Sequence, residues 1–197
     1  MRLIDRLPDR VTVDGRTYRC DFDFRNVLRL IDETGREDIL PEARVYRALK
    51  CVMRRPPRDD ILCARVYVEV RKALFPGADR KTEAKKLTDF DQDADLIRAA
   101  FLQEYRIDLW KDRLHWLKFT ALLSSLPEGS RYADVLGIRA RPMPKATKYN
   151  LAEREWLQKA KAQYALKVSD EEAAQALQRG ILEIFHGLMT KAGGKDG

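Results

Sequence analysis

Carboxylates recur at alternate positions in the stretch DFDQDADL, where their spacing resembles the start of a metal-binding loop. The four residues are Asp89, Asp91, Asp93 and Asp95. A calcium loop requires glycine at its sixth position and glutamate at its twelfth, but Ala94 and Ala100 stand there. Carboxylates at the start of a helix instead accept hydrogen bonds from its unpaired N–H groups. We therefore interpret the run as helix capping and predict no metal site.

Candidate nucleophiles and bases are scattered along the chain. Cys20, Cys51 and Cys63 form an odd number without a close pair, which predicts reduced, mostly buried thiols. A zinc site needs clustered ligands, and His115 and His186 are far from the cysteines in the sequence. His115 lies in an apolar segment, where a single histidine is more typical of a core residue than of a base. The sequence therefore predicts a protein without a cofactor that is not an enzyme.

Two amphipathic segments, 90–105 and 110–126, must form the helices that position the aspartate run and His115. Apolar side chains recur in the first at spacings of three and four, which is the pattern of one helix face. These are Phe90, Ala94, Ile97, Phe101 and Tyr105. A wide apolar arc in the second segment predicts a mostly buried helix that begins near Trp110 and ends at Pro127. Because the connection is short, the two helices are expected to pack antiparallel.

The N-terminal third predicts a β-hairpin followed by three helices. Residues 7–21 alternate apolar and polar side chains around Asp14-Gly15, the dipeptide of a type I′ turn. A two-stranded hairpin must pack on something larger, and its own helices are favoured over the sheet edge of a neighbouring subunit. The predicted helices are 21–33, then 41–54 with Pro41 at its start, then about 60–74 capped by Asp59 or Asp60. A polar loop, 75–89, follows.

The C-terminal part is predicted to hold a linker and two further helices. Residues 130–150 look short and irregular, and Pro142 and Pro144 within them indicate a stiff linker. The two helices are expected from Asn150 to about Lys167 and from Ser169 to about Met189.

The predicted fold class follows from these elements. It is mainly α, a helical bundle with a small N-terminal β-hairpin and a C-terminal helical hairpin. The predicted domains are 1–141, which contains the β-hairpin and the bundle, and 142–197, which contains the basic linker and the helical hairpin.

The formal net charge of +7 is unevenly distributed. Residues 139–167 contain eight lysines and arginines against two glutamates, a surplus of six, while 89–108 are acidic. A basic segment can bind nucleic acid, meet an acidic protein surface or simply be solvated. Nucleic acid is not favoured, because interleaved aromatic residues and a recognised binding motif are missing. No apolar run has the length of about 20 residues that spans a bilayer, and the N-terminus does not look like a secretory signal.

Several sequence segments of the central region resemble those of a known protein family. They are DFDQDADLIRAAFLQEYRIDL and LHWLKFTALLSSLPEGSRYADVLGIRAR, preceded by the opening LPDRVTVDGRTYRCDFDFRNVLRLIDE. They are similar to the bacteriophage gene-product-fifteen family over most of residues 7–141. Two positions depart from the pattern, since Leu117 stands where the family usually has a second tryptophan and Arg98 where it usually has tyrosine.

The resemblance implies a tail-assembly chaperone of a long-tailed phage, working in the host cytoplasm. Such proteins are thought to hold the tape-measure protein and to help the tail-tube protein polymerise. A homo-oligomer is compatible with this role, and no membrane partner is expected. Tryptophan and arginine are favoured interface anchors, although core packing is the more usual place for tryptophan. The partner-binding candidates are Trp110, His115, Trp116, Lys118, Arg139 and Arg141. The alternative function is a small basic nucleic-acid-binding or regulatory protein.

Overall fold

The computed structural model describes residues 4–76 and 86–167, which contain two strands and seven helices. The fold is mainly α with an N-terminal β-hairpin, as predicted. The second helix predicted for the C-terminal hairpin lies outside the described residues. No described helix is long and apolar enough to cross a membrane. In chain order the elements are β1 Arg10–Val13, β2 Arg16–Arg19, α1 Phe24–Gly35, α2 Pro41–Val52, α3 Asp60–Leu74, α4 Ala94–Tyr105, α5 Trp116–Ser124, α6 Arg131–Ala140 and α7 Leu151–Gln163.

The hairpin forms where the turn dipeptide predicts it. Asp14 and Gly15 both have positive φ, 51° and 73°, as a type I′ turn requires. β1 and β2 pair antiparallel, and β1 packs against α3. Val11 and Val13 are buried because alternate residues of a strand share one face.

The first three helices begin at residues that supply caps. Asp23 accepts a hydrogen bond from Arg25 N–H at the start of α1, and Asp59 accepts one from Leu62 N–H at the start of α3. α2 opens with Pro41, whose missing N–H has no cost in the first turn. α1 therefore starts after Asp23, slightly later than the sequence predicted.

The helix predicted from Trp110 is wrong in its beginning, because α5 starts only at Trp116. Arg106 adopts a φ of 56°, a left-handed conformation in which the α-helix cannot continue. Residues 108–111 then form a turn. The Asp108 and Asp112 carboxylates accept main-chain hydrogen bonds within this turn. Short acidic side chains offer the backbone this alternative to a helix, so the apolar spacing was misleading.

Residues 130–150 were predicted to be irregular, and this is wrong for the first half of them, because α6 occupies Arg131–Ala140. The Ser130 hydroxyl accepts a hydrogen bond from Ala133 N–H at the start of the helix. Tyr132 and Val135, three residues apart, are both buried. The glycine at position 137 is accommodated within the helix. α7 also ends earlier than predicted, at Gln163.

The described residues form two compact units: 4–76 with 95–134, and 86–94 with 135–167. The predicted domains, 1–141 and 142–197, stay a prediction, since a compact unit need not fold by itself. The core of the first unit is a run of stacked rings around Phe119. Its ring centroid lies 4.8 Å from Phe24, 5.3 Å from Phe101 and 5.8 Å from Trp116. Such contacts join α1, α4 and α5 through one buried side chain.

The second unit is organised around the buried guanidinium of Arg139. It donates to both carboxylate oxygens of Asp93, at 2.7 and 2.8 Å. It also donates to the carbonyl oxygens of Leu87 and Tyr164, at 2.9 and 2.6 Å. Three separate pieces of this unit are therefore tied to one side chain. Asp93 thus has a different role from Asp89, whose carboxylate caps the turn before α4.

Replacing Arg139 by methionine should strongly destabilise this unit. The Asp93 carboxylate would stay buried without its bidentate partner, which costs about 3–5 kcal/mol. Urea unfolding followed by circular dichroism measures the loss. Arg141→Met is the matched control, because Arg141 makes an exposed ion pair with Glu153 that is worth less than about 1 kcal/mol. Equal effects of the two variants would contradict this account.

Candidate partner-binding surface

The six residues predicted to bind a partner lie in very different environments. Trp110, Lys118 and Arg141 are exposed, and His115 is half-buried. Trp116 and Arg139 are buried, with 4% and 8% of their surface exposed. Arg139 and Arg141 belong to the second unit, and the other four belong to the first.

Trp116 and Arg139 are corrections to the predicted surface. The Trp116 indole N–H donates to the carbonyl oxygen of Leu74 at 3.2 Å, and its ring contacts Phe75 and Phe119. A partner cannot reach a ring that is enclosed in this way. The Arg139 guanidinium is committed to the interactions described above, so it positions the second unit.

His115 has a structural role at the start of α5. Its Nδ1 accepts a hydrogen bond from Leu117 N–H at 3.1 Å, which makes it the N-cap. Nδ1 must therefore lack a proton, and Nε2 carries it and donates to the carbonyl oxygen of Pro8 at 2.9 Å. The ring borders a cleft of about 460 Å³. Because both ring nitrogens already bind main-chain groups, His115 is better suited to anchoring than to proton transfer.

The segment before α5 is held against the start of α1 by two side chains. The buried Asp23 carboxylate accepts hydrogen bonds from the N–H groups of Arg25 and Leu114, at 3.1 and 3.3 Å. The Arg25 guanidinium donates to the carbonyl oxygens of Leu109 and Asp112, both at 2.8 Å. Hydrogen bonds from a charged donor are stronger than neutral ones. Residues 109–114 are therefore fixed at several points.

This fixation creates a rigid turn that carries Trp110 outward. The Asp108 carboxylate accepts from Trp110 N–H at 2.9 Å, and Asp112 accepts from Asp108 N–H at 2.8 Å. The hydrogen bond from Trp110 and the contact with Lys111 lower the pKa of Asp108. Leu109 is buried and anchors the turn from beneath. Trp110 itself stays 64% exposed.

The Trp110 ring has an arginine lying over it. The guanidinium carbon of Arg98 is 4.9 Å from the ring centroid, a cation–π contact. Asp95 pairs with the same guanidinium at 3.1 Å. Leu102 follows Arg98 by one helical turn on α4 and is 48% exposed. We call these three residues, Trp110, Arg98 and Leu102, the Trp110 patch.

Sequence reasoning found Trp110 but missed its two neighbours in the patch. Arg98 was noticed only as a departure from the family pattern, at a position that is usually tyrosine. In the structure, the Arg98 guanidinium lies over the indole ring of Trp110.

A second exposed aromatic surface lies on the second unit. Trp156 on α7 is 54% exposed, and Tyr149, just before α7, is 92% exposed. Lys148 and Lys159 are exposed as well. Lys159 follows Trp156 by three residues and shares its face of the helix. The basic segment therefore does carry aromatic side chains among its lysines, contrary to the reading from sequence.

Cysteine thiols and potential metal ligands are the remaining groups that could support covalent or metal chemistry. Cys20, Cys51 and Cys63 are free thiols, with Cys20 and Cys63 buried and Cys51 half-buried. Across residues 4–76 and 86–167, no three His, Cys, Asp or Glu side chains group as metal ligands.

The fold and these surfaces define a small, mainly helical protein with an exposed tryptophan on a hydrogen-bonded turn. The family model described as Bacteriophage Gp15 protein matches residues 3–166, and the chain belongs to this family. The predicted resemblance is confirmed, and the protein is a phage protein. No curated protein and no solved structure matches the chain.

Thiol chemistry gives a direct check of the hairpin's packing. Burial raises the pKa of Cys20 to about 12, so the unreactive protonated thiol is present at pH 8. Iodoacetamide should therefore label half-buried Cys51 faster than Cys20 in the native protein, as measured by peptide mass spectrometry. All three cysteines should react at similar rates in urea. Rapid native labelling of Cys20 would show that the hairpin does not pack as described.

Proposed function

We propose that this protein is a phage tail assembly factor that acts as a chaperone. In this role it binds the tape-measure protein in the host cytoplasm and assists polymerisation of the tail-tube protein. Family membership and the resemblance of the central region to tail-assembly chaperones support the proposal. The role is non-enzymatic, and it needs a surface that binds protein.

The observation that carries the proposal is the Trp110 patch. Tryptophan and arginine are the residues most enriched among the strong contacts of protein interfaces. Here the two stack on each other at the surface, with the indole on a turn that Asp108 and Arg25 fix. A rigid anchor loses little conformational entropy on binding. A turn with this many hydrogen bonds needs no tryptophan for its own stability.

The patch suits a partner with an exposed apolar helix face. A tape-measure protein is a long helical chain that must stay soluble before the tail is built. An amphipathic helix docks through apolar side chains spaced three and four residues apart. The Trp110 ring and Leu102 can contact such a face, and Arg98 can bind a flanking carboxylate in exchange for Asp95. Exposed Lys118 and Arg141 remain further partner-binding candidates.

A second candidate function is nucleic-acid binding through α7. The observation that favours it is the pairing of Tyr149 and Trp156 with nearby lysines. Bases stack on exposed aromatic rings, and lysines neutralise phosphates in a salt-dependent way. The exposed tryptophans thus separate the two functions, since Trp110 would serve protein binding and Trp156 nucleic-acid binding.

Trp110→Ala should strongly weaken tape-measure binding while leaving the fold intact. Loss of a central tryptophan anchor costs about 2 kcal/mol or more, roughly a 30-fold weaker complex. Stability should change by no more than about 0.5 kcal/mol, because the side chain is exposed. The measurement is co-purification of tagged protein with the tape-measure protein of the same phage, with and without nuclease, followed by quantitative mass spectrometry.

Trp156→Ala is the matched control, because it removes the same side chain at similar exposure from α7. It should leave tape-measure recovery unchanged. Recovery of nucleic acid alone, lost at high salt and in Trp156→Ala, would contradict the chaperone function and support the second candidate. Tape-measure recovery that survives Trp110→Ala would show that the patch is not the binding surface.

A further inference from the structure

Among the described residues, main-chain groups on the outer edge of the hairpin lack hydrogen-bond partners. In an antiparallel pair, hydrogen-bonded and non-hydrogen-bonded residue pairs alternate. Cys20 N–H donates to the carbonyl oxygen of Asp9 at 2.7 Å, so this is a hydrogen-bonded pair. Counting back along the register, Thr17 and Arg19 fall in the non-hydrogen-bonded pairs. The N–H and C=O groups of Thr17 and Arg19 therefore point away from β1.

Two residues beyond Arg19, the same side of the chain forms a main-chain hydrogen bond. Asp21 N–H, which follows Arg19 on this side, donates to the carbonyl oxygen of Val52 at 2.8 Å. Within residues 4–76 and 86–167, the main-chain groups of Thr17 and Arg19 have no such partner. The edge is thus closed at Asp21 and open along β2.

A cleft runs beside the open part of this edge. Its volume is about 350 Å³, and all its walls belong to the first unit. Its lining residues are Thr17, Tyr18, Arg19, Met53, Arg54 and Arg55. Half of these residues are arginines, and no acidic side chain is among them.

The positive charge of the cleft is only partly balanced within the described residues, because the Asp9 carboxylate interacts with both Arg10 and Arg19. Arg19 lies directly opposite Arg10, and like charges in such a pair repel each other. Arg10 is bound by Asp9 through two contacts of 2.7 and 3.1 Å. In the described part of the chain, no ion pair is formed by Arg19, Arg54 or Arg55. The cleft therefore combines an open strand edge with unpaired positive charge.

We propose that β2 and the 53–55 segment bind an extended acidic segment of a partner protein, which adds to the hairpin as a third, antiparallel strand. Its residue opposite Arg19 carries a carboxylate, and both main-chain groups of that residue bind Arg19. The alternate residues of the segment are apolar and contact the half-buried side chain of Tyr18. This surface is distinct from the Trp110 patch and does not require the tape-measure protein as its ligand.

The strand edge favours protein over nucleic acid as the occupant. Adding a strand uses the N–H and C=O groups of the edge, which a polynucleotide cannot match in spacing. Tyr18 is half-buried, so its ring presents less surface for a base to stack on than a fully exposed ring would. The alternation of charged and apolar positions matches the period of a strand.

The probe is a fluorescein-labelled peptide of eight alternating valines and glutamates, and its binding to the full chain is followed by fluorescence polarisation. Arg19→Glu combined with Arg54→Glu should weaken binding at least about tenfold. Arg58→Glu is the matched control, an exposed arginine that does not line the cleft, and it should change binding by less than about twofold. A peptide with lysine in place of glutamate should not bind. Circular dichroism checks that each variant is folded.

Main-chain pairing is tested by N-methylation of the peptide. Methylating the glutamate nitrogens removes the donors that face β2 and should weaken binding at least about tenfold, whereas methylating the valine nitrogens should not. The amide signals of Thr17 and Arg19 should shift in NMR spectra when the peptide binds. The proposal is overturned if the peptide fails to bind, if the lysine peptide or glutamate-methylated peptide binds equally well, or if a single-stranded oligonucleotide displaces the peptide from Arg19.

Discussion

The first unit depends on one buried carboxylate, that of Asp23. It caps α1 through Arg25 N–H and receives the N–H of Leu114, which lies far away in the sequence. An unpaired carboxylate at this depth would be costly, so the contacts that satisfy it are strongly favoured together. Main-chain bonds on either side, from Phe24 N–H to Leu114 and from Trp116 N–H to Phe22, close the same junction. The turn that displays Trp110 leads directly into this junction.

Local signals were enough to predict most of the elements. The Asp14-Gly15 turn, Pro41 and Asp59 each act through contacts within a few residues, so their effects can be read from the sequence. The errors came where distant contacts decide the backbone. The apolar spacing from Trp110 onward imitates a helix, but Arg25 holds that segment as a turn from another helix. No local pattern reports a hydrogen bond across more than 80 residues.

The candidate surface was only partly predictable, because contacts between distant residues also decide which side chains are buried. Composition marked the tryptophans as anchors but could not separate exposed Trp110 from buried Trp116, because each has a leucine beside it in the sequence. Arg139 looked like a basic surface residue, and only its pairing with Asp93 shows that it is internal. In both cases a buried polar group finds its hydrogen-bond partner in a residue that is distant in the sequence. A charged side chain in a polar segment can therefore be buried when such a partner is present.

Amide hydrogen exchange of residues 107–116 tests most directly whether a fixed turn presents Trp110. In the native protein, the N–H groups of Trp110 and Leu114 should exchange at least about tenfold more slowly than in an unstructured peptide. In Asp23→Ala both should exchange faster, while Gln92 N–H, bound to Asp89 in the second unit, stays unchanged. Rapid exchange of Trp110 N–H in the native protein would mean that the turn is not formed. The claim of a preorganised anchor would then be wrong.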